Sequence, residues 1–150
     1  MAVHDTNFLK VIEHDFFFYM CSELLGTGQY RDVYVFAPDP KWVLKFETGA
    51  QSFSNIREWD LWNDAQHMSS EIRDWLAPCK SISPCGTVLM QRRTKPATNY
   101  PDKVPVWMTD TKRSNFGMLG KRFVAHDYGN HLVCNQGLTK RLRKAEWWDV

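Results

Sequence analysis

Residues 108–117 read MTDTKRSNFG, and residues 124–129, just beyond the next apolar run, read VAHDYG. Asp110, Lys112, Asn115 and Asp127 are the residue types that chemistry on a phosphate and its magnesium asks for. Carboxylates and an amide offer oxygen to a hard cation, and an ammonium neutralises phosphoryl oxygens. Their polar setting makes this a loop, and a loop does such work only when a scaffold positions it.

The chain has 150 residues, 43% of them apolar and 14% aromatic, which suits one compact domain with a substantial core. Nineteen Lys and Arg against seventeen Asp and Glu give a net charge of +2, a balance that speaks against a protein that coats nucleic acid or a membrane surface. Cys21, Cys79, Cys85 and Cys134 show no CxxC spacing and read as reduced thiols of a cytoplasmic protein. No apolar run approaches the roughly 20 residues that cross a bilayer, and MAVHDTNFLK lacks the apolar core of a signal peptide. The expectation is therefore a soluble, unsecreted protein with no membrane partner. His4, His14, His67, His126 and His131 have no common metal spacing, and Cys79 with Cys85 does not complete a zinc set.

The scaffold is legible in outline. In residues 6–20 Phe8, Leu9, Ile12 and Phe16 recur at helical steps, so the spacing predicts a helix packed on the domain. DVYVF and WVLKF are β-rich runs joined by the turn APDPK, a hairpin preceded by LLGTGQY. Residues 52–66 predict a second helix, capped by Ser or Asn, with Ile56, Trp59 and Trp62 available for burial. A short helical turn at SSEIRDWL and a strand pair, CKSI with TVLMQR, follow, giving a sheet of about five strands. Residues 94–105 hold three prolines within ten positions, which excludes a regular helix or central strand and marks a linker. RFVAH then predicts a brief strand. Leu138, Leu142 and Ala145 predict a terminal helix whose other face carries Lys140, Arg141, Arg143 and Lys144. Trp147 and Trp148 read as packing residues.

In this order the pieces resemble the protein-kinase-like fold in a very small, phage-type form, over about residues 24–130. LGTGQYRDVYVF is similar to the glycine-rich loop, with Gly26 and Gly28 in the first two glycine places, Val33 where a Val covers adenine, and Arg31 in place of the third glycine. WVLKF puts Lys45 where the family's strand lysine binds the α- and β-phosphates, and Glu58 falls on the following helix, where the family keeps that lysine's partner. TVLMQRRTKP resembles the fifth strand running into the hinge, with Met90 to Arg93 against adenine. DTKRSN matches the D-x-K-x-x-N loop and DYG stands for the DFG triplet. The resemblance implies that Asp110 orients the attacking hydroxyl, Lys112 neutralises the moving phosphoryl group, and Asn115 and Asp127 hold magnesium.

The departures are as informative. Met108 and Thr109 replace the usual His and Arg before the catalytic Asp, which removes the pairing that positions an activation segment. Only the linker separates the hinge from Asp110, where the family has two helices. The resemblance thus implies an α+β chain. Residues 1–93 would be a kinase-like sheet lobe of about five antiparallel strands with a leading helix, followed by the 94–105 linker and a much reduced second lobe with a basic tail over 106–150. The implied function is ATP- and magnesium-dependent phosphoryl transfer to a hydroxyl of a host protein or of the chain itself, in the host cytoplasm. The alternative is a non-catalytic, pseudokinase-like module that binds and inhibits or redirects a host protein.

Overall fold

The computed structural model describes residues 6–48, 52–131 and 137–149; His4 and Cys134 lie outside these. It is an α+β structure. Helix α1 (Thr6–Met20) leads into a meander of β1 (Cys21–Thr27), β2 (Arg31–Phe36) and β3 (Trp42–Glu47). Helix α2 (Ser54–Gln66) and a single turn α3 (Ser70–Arg73) precede β4 (Cys79–Ile82) and β5 (Val88–Arg92). These strands form a five-stranded sheet in the order β1-β2-β3-β5-β4, every neighbouring pair antiparallel. The APDPK segment closes the β2–β3 hairpin, and Gly86 turns β4 into β5 at φ 73° with Ile56 packed close behind it.

The alternation along the strands assigns their two faces. Arg31, Val33 and Val35 of β2 share a face with Val43 and Lys45 of β3, because Val33 pairs with Lys45 and Val35 with Val43. The opposite face carries Tyr34 and Phe46, which meet Phe17 of α1 edge-on or tilted. Helix α1 forms over the expected residues, but it does not pack down: Phe8, Val11 and Phe16 are about 60% exposed, at 62, 60 and 58%. The apolar residues of 6–20 run around much of the helix, so one contacting face cannot cover them.

Helix α2 departs from expectation at its start and on its buried face. Phe53, not Ser or Asn, stands at the N-cap, with φ 57° and no side-chain cap bond. Glu47 of β3 takes the capping role instead, accepting from the Asn55 N–H at 2.8 Å. Trp59 and Trp62 are half-buried against the core, whereas the fully buried positions include the polar Ser54, Asn55 and Glu58. A helix face that buries a carboxylate must offer it partners.

Beyond β5 the linker is only partly irregular. Strand β6 (Lys95–Pro96) pairs with β8 (Phe116–Leu119), which pairs with β9 (Arg122–Ala125). Strand β7 (Lys103–Pro105) pairs with β10 (Leu142–Lys144). The expected terminal helix is therefore a strand. The edge of β7 gives the basic tail backbone partners, with Val106 N–H bonded to Arg141 O and Ala145 N–H to Asp102 O. Leu138, Ala145 and Trp147 pack on the core, while Leu142 is half-exposed. Trp147 lies against Tyr100, Phe116 and Phe123. One core of buried side chains joins Leu61, Leu76 and Leu89 to Trp107, Met108 and Phe116, so the short second part is continuous with the sheet part. Among the described residues no helix is long and apolar enough to cross a membrane.

Candidate functional site

A cleft of about 840 Å³ opens between the β1–β2 hairpin, the inward face of the sheet, the start of the linker and the loop that precedes β8. Gly26, Gly28 and Val33 line it from the hairpin, Lys45 from β3, and Lys112, Asn115 and Asp127 from the opposite wall. A side chain at Gly26, which pairs with Val33 in the hairpin, would meet nothing within 4 Å, so the space beside it is open.

Beneath the cleft lies one ion-pair cluster, and Glu58 is its centre. The Glu58 carboxylate is fully buried and accepts from Lys45 Nζ at 2.8 Å, Arg31 Nη2 at 2.5 Å and Gln91 Nε2 at 3.2 Å. It also accepts from the backbone N–H groups of Tyr128 at 3.2 Å and Gly129 at 3.3 Å. A single side chain on α2 thus gathers β2, β3, β5 and the DYG segment. Against the desolvation that full burial imposes, Arg31 and Lys45 hold the Glu58 carboxyl far below the usual carboxylate range. Burial depresses the Lys45 ammonium, with Glu58 pulling it back up. Lys45 also donates to the His126 carbonyl.

Arg31 completes the cluster from a register the sequence left open. Its Nη1 donates to Asn55 Oδ1 at 3.1 Å, and its Nη2 donates to Glu58 and to Asp127 Oδ1, the latter at 2.6 Å. Against desolvation, Glu58 and Asp127 raise the Arg31 pKa above its ordinary value. The Asp127 carboxyl is pushed up by desolvation and by Glu58, with Lys45 and Arg31 opposing; its side chain is still 46% exposed.

His126, Thr94 and Ser114 tie the two walls together. His126 Nε2–H donates to Ser114 O at 2.9 Å, which leaves Nδ1 to accept from the Thr94 hydroxyl at 2.7 Å. Burial lowers the His126 pKa to about 4, consistent with that neutral ring. Behind Glu58, Tyr128 donates to Ala77 O at 2.8 Å and lies 3.1 Å from Cys79 Sγ. Burial pushes the Cys79 thiol up to about 11 and the Tyr128 phenol higher still than usual, so both stay protonated. Cys79 and Cys85 are both free thiols, Cys79 buried and Cys85 exposed.

Three expected site residues stand apart from the cleft. Glu58 acts from beneath rather than on its surface. Met90 faces away, and Gln91, Arg92 and Arg93 line the wall instead. Asp110 is not on the lining; its backbone N–H donates to His131 Nδ1 at 3.2 Å, two residues ahead of Lys112. Conversely, Arg31, Asn55 and His126 belong to the site although their places in the sequence assigned them no site role, whereas Gln91 falls within the expected Met90 to Arg93 segment. For Arg31 a signal existed: a charged residue in the same strand register as Val33 and Val35 points inward.

The charge of the lining is lopsided. Arg31, Lys45, Arg92, Arg93, Lys95, Lys112 and Arg113 face a single carboxylate, Asp127, among the described lining residues. Exposed carboxylates partly offset two of them, Glu23 at 3.7 Å from Arg93 and Asp149 at 2.6 Å from Arg113. A cleft of that sign concentrates anions. No protein-family model matches the chain, and no curated protein is similar enough to match it.

Proposed function

We propose that the chain is a minimal protein-kinase-like phosphotransferase that binds ATP in this cleft and passes a phosphoryl group to a hydroxyl of a protein, either a host protein or itself. The observation that carries the reading is Lys45, held at 2.8 Å by the buried Glu58 of α2 beneath the hairpin, with Asn115 and Asp127 across the cleft. A lysine so oriented is preorganised toward phosphate oxygens. Gly26 and Gly28 let backbone approach the phosphates, Val33 and Val43 offer apolar contact to a base, and the Gln91–Arg93 segment supplies backbone groups at the base edge. Lys112, on the lining, would neutralise a moving phosphoryl group, and Asp110 would have to take the hydroxyl proton from beside the cleft.

Asn115 and Asp127 are the oxygen donors on the lining that magnesium would take, but Asp127 Oδ1 is already held by Arg31 Nη2 at 2.6 Å, so the pair as it stands does not fit the metal.

That same Arg31–Asp127 contact, with Asp110 off the lining, favours a second reading, a non-catalytic nucleotide-binding module that acts by binding a host protein. Calorimetry with ATP, beside a transfer assay with labelled ATP and host lysate, separates the two. The enzyme reading expects ATP binding and transfer, with Asp110→Ala keeping binding and lowering transfer by about 10²- to 10⁴-fold. Binding without transfer supports the module, and absence of both overturns each reading.

A further inference from the structure

We infer that Arg31 is a built-in cation at Asp127, so that the cleft takes a nucleoside polyphosphate without a divalent metal. The inference rests on the nucleotide reading and concerns how that site handles charge. Two independent observations carry it.

The first is the arrangement of the buried cluster. Two cations, Arg31 and Lys45, are matched by two anions, Glu58 and Asp127, with contacts of 2.5, 2.6 and 2.8 Å. The cluster is neutral as it stands, and the side of Asp127 facing the cluster is already neutralised by a guanidinium. A divalent cation placed on that carboxylate would stand beside Arg31, and the two like charges would repel. Arg31 is only 8% exposed and is fixed by three acceptors, Asn55, Glu58 and Asp127, so it does not swing away without leaving buried groups unsatisfied. Its planar fork also suits phosphate oxygens in the way a point charge does not.

The second is the surplus of positive charge on the lining. Arg92, Lys95 and Lys112 line the cleft and carry no ion pair among the described residues. Lys112 instead lies over the Trp148 ring, and Arg92 over Trp42, contacts that hold each side chain while leaving its charge unneutralised. Arg92, Lys95 and Lys112 bring to a polyphosphate the charge that a metal ion ordinarily supplies.

Calorimetric titration of the full chain with ATP in EDTA and in magnesium tests this. Dissociation constants within about threefold of one another are expected in the two buffers. Arg31→Gln should weaken binding in EDTA by about tenfold or more, and magnesium should restore most of it because Asp127 is then free. Binding that appears in magnesium and vanishes in EDTA overturns the inference while leaving the nucleotide site intact. Absence of binding in both buffers overturns the nucleotide reading and the inference with it. If Arg31→Gln, folded by circular dichroism, binds in EDTA as the unmodified chain does, Arg31 is not the cation.

Discussion

Arg31 and Asp127, 96 positions apart in sequence, meet at 2.6 Å at the base of the cleft. The contact joins the β1–β2 hairpin to the DYG segment, so it couples the two walls that a ligand would separate. Because the Asp127 side chain is 46% exposed, solvent screens this pair. A double-mutant cycle between Arg31→Gln and Asp127→Asn should therefore give a coupling of about 1 kcal/mol or less, reduced further in high salt. A coupling well above that would mean the pair is sealed from water.

Glu58 should behave differently, since burial removes the screening. Glu58→Ala leaves Lys45 and Arg31 buried beside each other without their shared anion, and two backbone N–H groups without an acceptor. A loss of about 3–5 kcal/mol in unfolding free energy is expected. Lys45→Met should cost less, because Arg31, Gln91 and two backbone groups still satisfy the carboxylate. Equal losses in urea titrations would contradict that ordering.

What the sequence disclosed follows from which residues report on themselves locally. The sheet and α2 were legible because alternation and turn chemistry act within a few positions, and Lys45 and Glu58 lie on those regular elements. The Arg31 contacts were not, because its partners Asn55, Glu58 and Asp127 belong to later segments and are brought to it only by the fold. The tail failed for a related reason. Leu138, Leu142 and Ala145 have helical spacing, yet the free edge of β7 competes for the same backbone and wins by pairing it from Leu142 to Lys144. Helix α1 was legible as a helix from its period, but its contacts depend on an outer sheet face where Phe17 meets Tyr34 and Phe46, strand residues far from it in sequence.

Gly117 is a small residue that the cleft wall requires. A methyl group there would come within 2.6 Å of Thr94 Oγ1 and 2.7 Å of the Lys95 carbonyl, and the backbone carbonyl cannot yield without breaking the β6–β8 pairing. Gly117→Ala should destabilise by about 1–3 kcal/mol. It should also disturb the Thr94–His126 hydrogen bond, visible as a shift of the His126 ring resonances. An unchanged spectrum and an unchanged melting midpoint would show that the wall adapts.

The pH dependence of stability turns on His131. Its Nδ1 accepts the Asp110 backbone N–H at 3.2 Å, so the ring proton resides on Nε2, which is buried with no acceptor among the described residues. Protonating Nδ1 would break that bond and place a cation in a pocket formed with Trp107 and facing Arg143. Burial accordingly lowers the pKa to about 4, with Asp110 and Glu58 opposing and Arg143 assisting. In the unfolded chain the ring takes up its proton near pH 6.5, so between about 6.5 and 4 the unfolded state binds more protons and stability falls as pH falls. The gap corresponds to about 3 kcal/mol from this residue at most, reached near pH 4. Asparagine at this position keeps an acceptor for the Asp110 N–H but cannot titrate. Urea midpoints measured from pH 7 to 4 should therefore decline less steeply for His131→Asn than for the unmodified chain. Parallel curves would assign the acid sensitivity to other groups and show that His131 is already accessible to protons in the folded state.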